Sequence, residues 1–193
     1  MLPRSFFARD ALEVARDLLG ARLQRGGVAL RITEVEAYRW PGDTASHGRH
    51  GRTERNDALW GPPGTVYIYL CYGMHHLLNL VTGADGEAAA VLVRACEPLA
   101  GLSTIRRRRG GRDGPVLLNG PGKVGAALGL DLGWNGHAVY LPGGLEAYRG
   151  TPPKEVLRGP RIGVDYARST DRAAPWRLAV GESAWVGYRS RLK

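Results

Sequence analysis

Residues 58–84 contain no Asp, Glu, Lys or Arg, and this uncharged run constrains the fold more than any other feature of the chain. A stretch of that length raises the question of a membrane span. Its contents argue against one, because Pro62, Pro63, Tyr67, Tyr69, His75, His76 and Asn79 make a poor hydrocarbon-facing helix. Residues 66–71 alternate in polarity as a strand does, and 65–72 and 75–81 flank Gly73. The run therefore reads as a β-hairpin.

The remaining segments build around that hairpin. Ala11, Val14, Ala15, Leu18 and Leu19 recur at helical spacing, with Asp10 as N-cap and Gly20 as stop. Residues 21–24 and 28–38 flank an Arg25-Gly26-Gly27 turn and read as a second hairpin. Strict alternation would put Leu30, Ile32, Glu34, Glu36 and Tyr38 on one face. Residues 39–64 are rich in Gly and Pro and read as a long loop. A buried-type strand is expected at 89–95, a helix opening at Glu97-Pro98 and running to the Arg106–Arg109 block, and another helix from Pro121. Segments 139–141, 161–165, 178–180 and 185–188 read as short strands and turns. With no repeat, heptad or linker, the expectation is one compact α+β domain over residues 1–193, a mainly antiparallel sheet with flanking helices and a protruding β-hairpin.

Charge points to the partner. Twenty-seven Lys and Arg face 18 Asp and Glu, a net charge of +9, and Lys123, Lys154 and Lys193 are the only lysines among those cations. Such a surplus favours polyanions, and arginine's planar fork suits phosphate. Between 101 and 123, five arginines and Lys123 stand against Asp113 alone. Two cysteines, Cys71 and Cys96, exclude a disulfide-rich scaffold and a zinc site of three or four cysteines. Charges interrupt the first twenty residues too often for a signal peptide, so an intracellular protein without membrane attachment is expected.

Several residues invite chemistry, each beside an ordinary reading. Glu36, near a strand end and followed by Tyr38 and His47, suits a general base, or else a surface acid paired with one of many arginines. Glu34 and Glu36 would stand roughly 7 Å apart on a regular strand, compatible with glycosyl chemistry but common to every Glu-x-Glu strand. Tyr38, Tyr67, Tyr69, Tyr72 and His47 offer flat faces for nucleobases, or ordinary sheet packing. His47 and His50 stand among Arg39, Arg49, Arg52 and Arg55, whose charge opposes a cation, so no metal or other cofactor is expected. Gly-Pro-Gly-Lys at 120–123 lacks the rest of a phosphate loop and leaves a helix start carrying Lys123, a generic anion site.

Taken in order, TEVEAY (33–38), DTASH (43–47), GTVYIYLCYGMHHLLN (64–79), VLVRACEPL (91–99), NGPGK (119–123) and RIGVDY (161–166) resemble the alkyladenine (3-methyladenine) DNA glycosylase family, from about Phe6 to Tyr188. The resemblance implies a monofunctional enzyme of base excision repair acting on double-stranded DNA that contains damaged purines; one active site on one duplex needs no symmetry, so a monomer is expected. Such enzymes flip 3-methyladenine, 7-methylguanine, hypoxanthine or ethenoadenine from the duplex and leave an abasic site. It implies Glu36 as the base that activates water and Arg94 as the residue that helps hold them. Tyr38, His47 and Tyr69 become the walls of the base pocket, and Asn79 the side chain that excludes the 2-amino group of guanine. Tyr72 becomes the wedge left in the minor groove, with Met74, Lys123 and Arg52 as further DNA contacts. Cys71, His75, His76 and the arginine-rich 106–115 segment depart from the family pattern. Two other classes use the same residues: a non-catalytic basic nucleic-acid-binding protein, and a glycosidase acting on free nucleosides through Glu34 and Glu36.

Overall fold

A computed structural model describes all 193 residues. Helices α1 (Arg4–Phe7) and α2 (Ala11–Leu18) open the chain, and the Asp10 carboxylate accepts the Leu12 amide as the N-cap. The α2 stripe of Ala11, Val14, Ala15 and Leu18 is buried, and Gly20 turns the chain out at a φ of 84°. Strands β1 (Arg22–Arg25) and β2 (Val28–Tyr38) form the expected hairpin. Strands β3 (Val66–Cys71) and β4 (His75–Thr82) form the uncharged one, in register from Val66 opposite Leu80 to Cys71 opposite His75. Strand β5 (Ala89–Ala100) is followed by helices α3 (Leu102–Arg108) and α4 (Pro121–Leu128). Short strands β6 (Glu146–Tyr148) and β7 (Val156–Gly159), helix α5 (Ser169–Ala173) and strand β8 (Arg177–Val180) complete the elements that matter here. No helix is long and apolar enough to cross a membrane.

Eight strands form one antiparallel sheet in the order β3-β4-β5-β2-β1-β6, with β8 on β2 and β7 on β8. Strand β2 is its spine. One edge of β2 is paired along its length by β5, and the other by β1 at residues 28–31 and then by β8 at 34–36. The α+β architecture and the projecting hairpin match the sequence expectation. Strands β6 and β7, at three and four residues, are too short to announce themselves by alternation.

Alternation along β2 is not strict. The β2–β5 register slips between Ile32 and Glu34 and again between Glu34 and Val35, so that Leu30, Ile32, Val35 and Ala37 all enter the main core. One extra residue reverses the parity of a strand, which sends Glu34, Glu36 and Tyr38 to the face opposite Leu30 and Ile32. The slip falls where the partner on the far edge changes from β1 to β8. There the Thr33 hydroxyl donates to the Trp185 carbonyl.

The helix expected from Glu97-Pro98 is instead the end of β5. Glu97 lies opposite Arg31 and pairs with it at 3.2 Å, while Pro98 sits at an irregularity of the ladder, where a missing N–H does little harm. Helix α3 starts only after Gly101, whose φ of 78° turns the chain; a Cβ there would lie 2.4 Å from the Gly27 carbonyl oxygen. The 39–64 segment is more ordered than a plain loop. It winds into 3-10 turns at His47–His50 and Glu54–Trp60, the second opened by a reciprocal Thr53–Asn56 cap.

Helix α4 lies directly on the uncharged hairpin. A Cβ on Gly125 would stand 2.1 Å from the His76 carbonyl oxygen, so the helix approaches β4 as closely as its backbone allows. Alanine at 125 would favour the isolated helix by about 1 kcal/mol. We nevertheless expect Gly125→Ala to destabilise the protein by about 1–3 kcal/mol, because α4 must retreat from β4. Thermal or urea unfolding measures this, and equal or greater stability would show that the contact is slack.

Candidate active site

The parity reversal in β2 places two carboxylates inside the protein without exposing either: Glu34 is 1% and Glu36 0% exposed. Arg94 on β5 joins them, its Nε donating to Glu34 Oε1 at 3.0 Å and its Nη1 lying 3.2 Å from Glu36 Oε1. Arg177 on β8, fully buried, donates from Nε to the same Glu34 oxygen at 2.7 Å, and the Gly187 amide donates to Glu34 Oε2 at 2.6 Å. Two negative and two positive side chains thus balance in a volume closed to water, the condition under which buried charge is tolerated. Burial alone would depress Arg94's pKa, but Glu36 and Glu34 together hold its guanidinium proton more firmly than usual.

Glu36 differs from Glu34 in its surroundings. The Ile162 amide donates to its Oε1 at 2.8 Å, and the Tyr38 hydroxyl donates to its Oε2 at 2.9 Å. Tyr38 and Arg94 both line a cavity of about 280 Å³, so the Glu36 carboxylate lies one hydrogen bond behind its wall. Burial, and then the neighbouring Glu36 charge, push the Tyr38 phenol well above its usual pKa and keep it a donor. Arg161 braces the other side of Tyr38. It pairs with buried Asp43 at 2.5 Å, and its guanidinium stands 4.7 Å from the Tyr38 ring centre and 4.9 Å from that of Trp176.

Aromatic rings form the cavity. His47 packs edge-on against Tyr69, ring centres 4.5 Å apart, and its Nδ1 is 2.9 Å from the Tyr67 hydroxyl. Tyr67 and Tyr69, alternate residues of β3, lie 5.9 Å apart on one strand face. Burial raises the Tyr67 pKa to about 12. The first 3-10 turn holds His47 in place, with Asn56 donating to its carbonyl at 3.0 Å, while the His47 backbone N–H has no partner within the chain. Asn79 on β4 lines the cavity with both amide hydrogens engaged by the Tyr67 and Leu77 carbonyls.

Seven of the ten residues singled out by sequence therefore converge: Tyr38, His47, Tyr69, Tyr72, Asn79 and Arg94 line the cavity, with Glu36 behind them. The other three lie outside its lining. Met74 is on the hairpin tip at 70% exposure, beside Tyr72 at 89%. Lys123, in the first turn of α4, donates to Asn119 at 2.7 Å; burial and the charges of Arg109 and Arg112 lower its pKa. Arg52 is exposed and paired with Asp57. A surface ion pair for Glu36 is excluded, since both it and its arginine partner are buried. The paired-carboxylate arrangement is also excluded, because three buried donors already occupy Glu34. No three His, Cys, Asp or Glu side chains converge as metal ligands.

Sequence reasoning missed Arg161, Arg177 and Tyr166. Tyr166 lines the cavity and donates to the Ala45 carbonyl at 2.7 Å. Arg161 and Tyr166 belong to the RIGVDY segment, whose proximity to Glu36 only the fold creates; Arg177 is an arginine in a short apolar strand and carried no signal.

Residues 5–184 match the model of a family described as methylpurine-DNA glycosylase. A putative 3-methyladenine DNA glycosylase of Nitrosococcus oceani is 68% identical over 193 residues, covering 100% of this chain and 96% of the relative. The DNA-3-methyladenine glycosylase of Arabidopsis thaliana is 52% identical over 188 residues, covering 96% of this chain and 74% of the relative. A putative 3-methyladenine DNA glycosylase of Methanocella arvoryzae is 45% identical, covering 98% and 97%.

Burial, followed by the charges of Arg49 and Arg55, lowers the His47 pKa below its ordinary 6.5. The folded state then binds fewer protons than the unfolded chain, so this residue withdraws stability as pH falls through 6.5 toward the folded value. NMR titration should place the His47 midpoint below 6.5, and His47→Phe should flatten the loss of stability over that window. A midpoint at or above 6.5 would contradict the burial argument.

Proposed function

This chain belongs to the methylpurine-DNA glycosylase family, and we propose that it excises alkylated or deaminated purines from duplex DNA by a water that Glu36 activates. The observation that carries this reading is the placement of Glu36: a fully buried carboxylate, held on Oε1 by Arg94 and the Ile162 amide, adjoining an aromatic cavity through Tyr38.

A stacked base cannot be attacked at its sugar, so the damaged nucleotide is extruded and its purine enters between Tyr38, His47 and Tyr69. Alkylation at N3 or N7 makes the purine cationic, which favours electron-rich rings and improves the leaving group. The His47 backbone N–H, free of partners, reads the edge of the base. Asn79, its amide hydrogens engaged elsewhere, limits room for the 2-amino group of guanine. Glu36 takes a proton from water at Oε2, where only the Tyr38 hydroxyl otherwise binds. The water oxygen bonds to C1′ as the C1′–N bond breaks, and that electron pair leaves with the base. The same carboxylate stabilises positive charge on the sugar. Tyr72 enters the minor groove in place of the purine, with Met74 beside it. Its position supports this role: Tyr72 and Gly73 have φ of 51° and 68°, the Met74 amide bonds the Cys71 carbonyl, and the side chains of Tyr72 and Met74 stand exposed on this tight turn. Lys123 and Arg52 contact backbone phosphate.

Glu36→Gln retains shape and can keep an oxygen toward Arg94 and Ile162. It should still bind a lesion duplex while single-turnover excision of hypoxanthine or 3-methyladenine falls by about 10² to 10⁴. Excision at the wild-type rate would remove Glu36 as the base. Tyr72→Ala should weaken binding to an abasic-site duplex with no loss of thermal stability, since the ring rests on little of the protein. Unchanged affinity would rule out the wedge.

A further inference from the structure

The lesion cavity leaves much of the positive charge unexplained, and part of it surrounds the largest hollow on the protein. On the α2 side of the sheet, away from Glu36, a groove of about 780 Å³ is lined by Arg9, Arg16, Arg149, Lys154 and Arg158, with Asp17 as its single carboxylate. It shares no lining residue with the lesion cavity. Asp17 is engaged by Arg9 at 2.9 Å. The other four cationic side chains form no ion pair within the chain. Nη2 of Arg9 is buried without a partner. Among nearby carboxylates, Glu13 and Glu182 lie outside the lining, and Glu182 instead accepts the Lys154 backbone amide.

We propose that this groove is a second polyanion site, one that takes the phosphodiester backbone of a nucleic-acid segment while the lesion cavity engages another. Its cations come from two separate segments, Arg9 and Arg16 near the N-terminus and Arg149, Lys154 and Arg158 further on, and its volume of about 780 Å³ leaves room for a phosphodiester among them. Four of the five are arginines, whose forks bind phosphate in pairs of hydrogen bonds. Resting on the DNA reading above, the occupant is DNA: a long duplex held at one face presents a second stretch of backbone to the other.

The test saturates the protein with a short duplex containing an abasic-site analogue, then titrates in an undamaged duplex carrying a different fluorophore. Sedimentation velocity at low salt reads the complex. We expect one protein with two duplexes. R16S/R149S/R158S, all exposed positions, should bind the second duplex at least tenfold more weakly and flatten its log-affinity against log-salt slope by about 2.7, at about 0.9 per lost phosphate contact. Its melting temperature, and its single-turnover excision from a short lesion duplex at saturating protein, should match wild type. A complex that stops at one duplex, or a triple variant that binds the second as wild type does, would overturn the proposal. So would polyglutamate of equal charge displacing the second duplex at the concentration DNA requires, which would assign the groove to an acidic polypeptide. Failure of the abasic duplex to bind at all would count against the lesion-site reading, and the difference between wild type and R16S/R149S/R158S on undamaged duplex would still decide the groove.

Discussion

Arg94 is the contact on which the rest of the site depends. Its guanidinium touches Glu34 and Glu36 at once, and both carboxylates are closed off from water. Two carboxylates buried together carry a desolvation penalty that only positive partners offset. Arg94 and Arg177 remove that penalty, and the bulge at Thr33 turns the two acids away from the core that Ile32 and Val35 enter. The network also divides labour between two chemically identical residues. Glu34, saturated by two arginines and a backbone amide, joins β2, β5, β8 and the chain near Gly187. Glu36 is linked to the cavity wall through the Tyr38 hydroxyl, and that difference in hydrogen bonding makes it the proposed base.

Charge and recognition occupy different parts of the molecule. The hairpin that supplies Tyr67, Tyr69, Tyr72 and Asn79 is free of Asp, Glu, Lys and Arg, so no salt bridge of its own competes for the rings at the cavity. Basic side chains lie around it and behind it, on α3, at the start of α4 and in the groove beside α2. Electrostatic attraction to a polyanion is long-ranged and indifferent to sequence, whereas stacking and shape act only at contact. On the proposed function, separate surfaces let affinity for the backbone change without altering what the pocket accepts.

Much of this was legible in the residues. Turn glycines and alternating polarity located both hairpins, a capped apolar stripe located α2, and the ordered set of motifs identified the family and ranked Glu36, Tyr38, His47 and Tyr69 above other candidates. The errors have a common physical origin. Strict alternation misjudged β2 because a bulge is an event between strands, set by the exchange of β1 for β8 along one edge. Glu97-Pro98 resembled a helix start because the cross-strand partner Arg31 is remote in sequence.

The sequence by itself determined both hairpins and helices α2 and α4, the uncharged character of the β3–β4 hairpin, the positive charge and the family, because each is a matter of local pattern or ordered motif. Only the tertiary structure decided which carboxylate lies one hydrogen bond behind the cavity wall, that Arg161 braces Tyr38, that Arg177 neutralises Glu34, and that five cations from distant segments surround one groove. Those facts are pairings between residues far apart along the chain. Burial, which removes water as the competing partner, is what makes such pairings matter energetically, and burial is a property of the assembled fold.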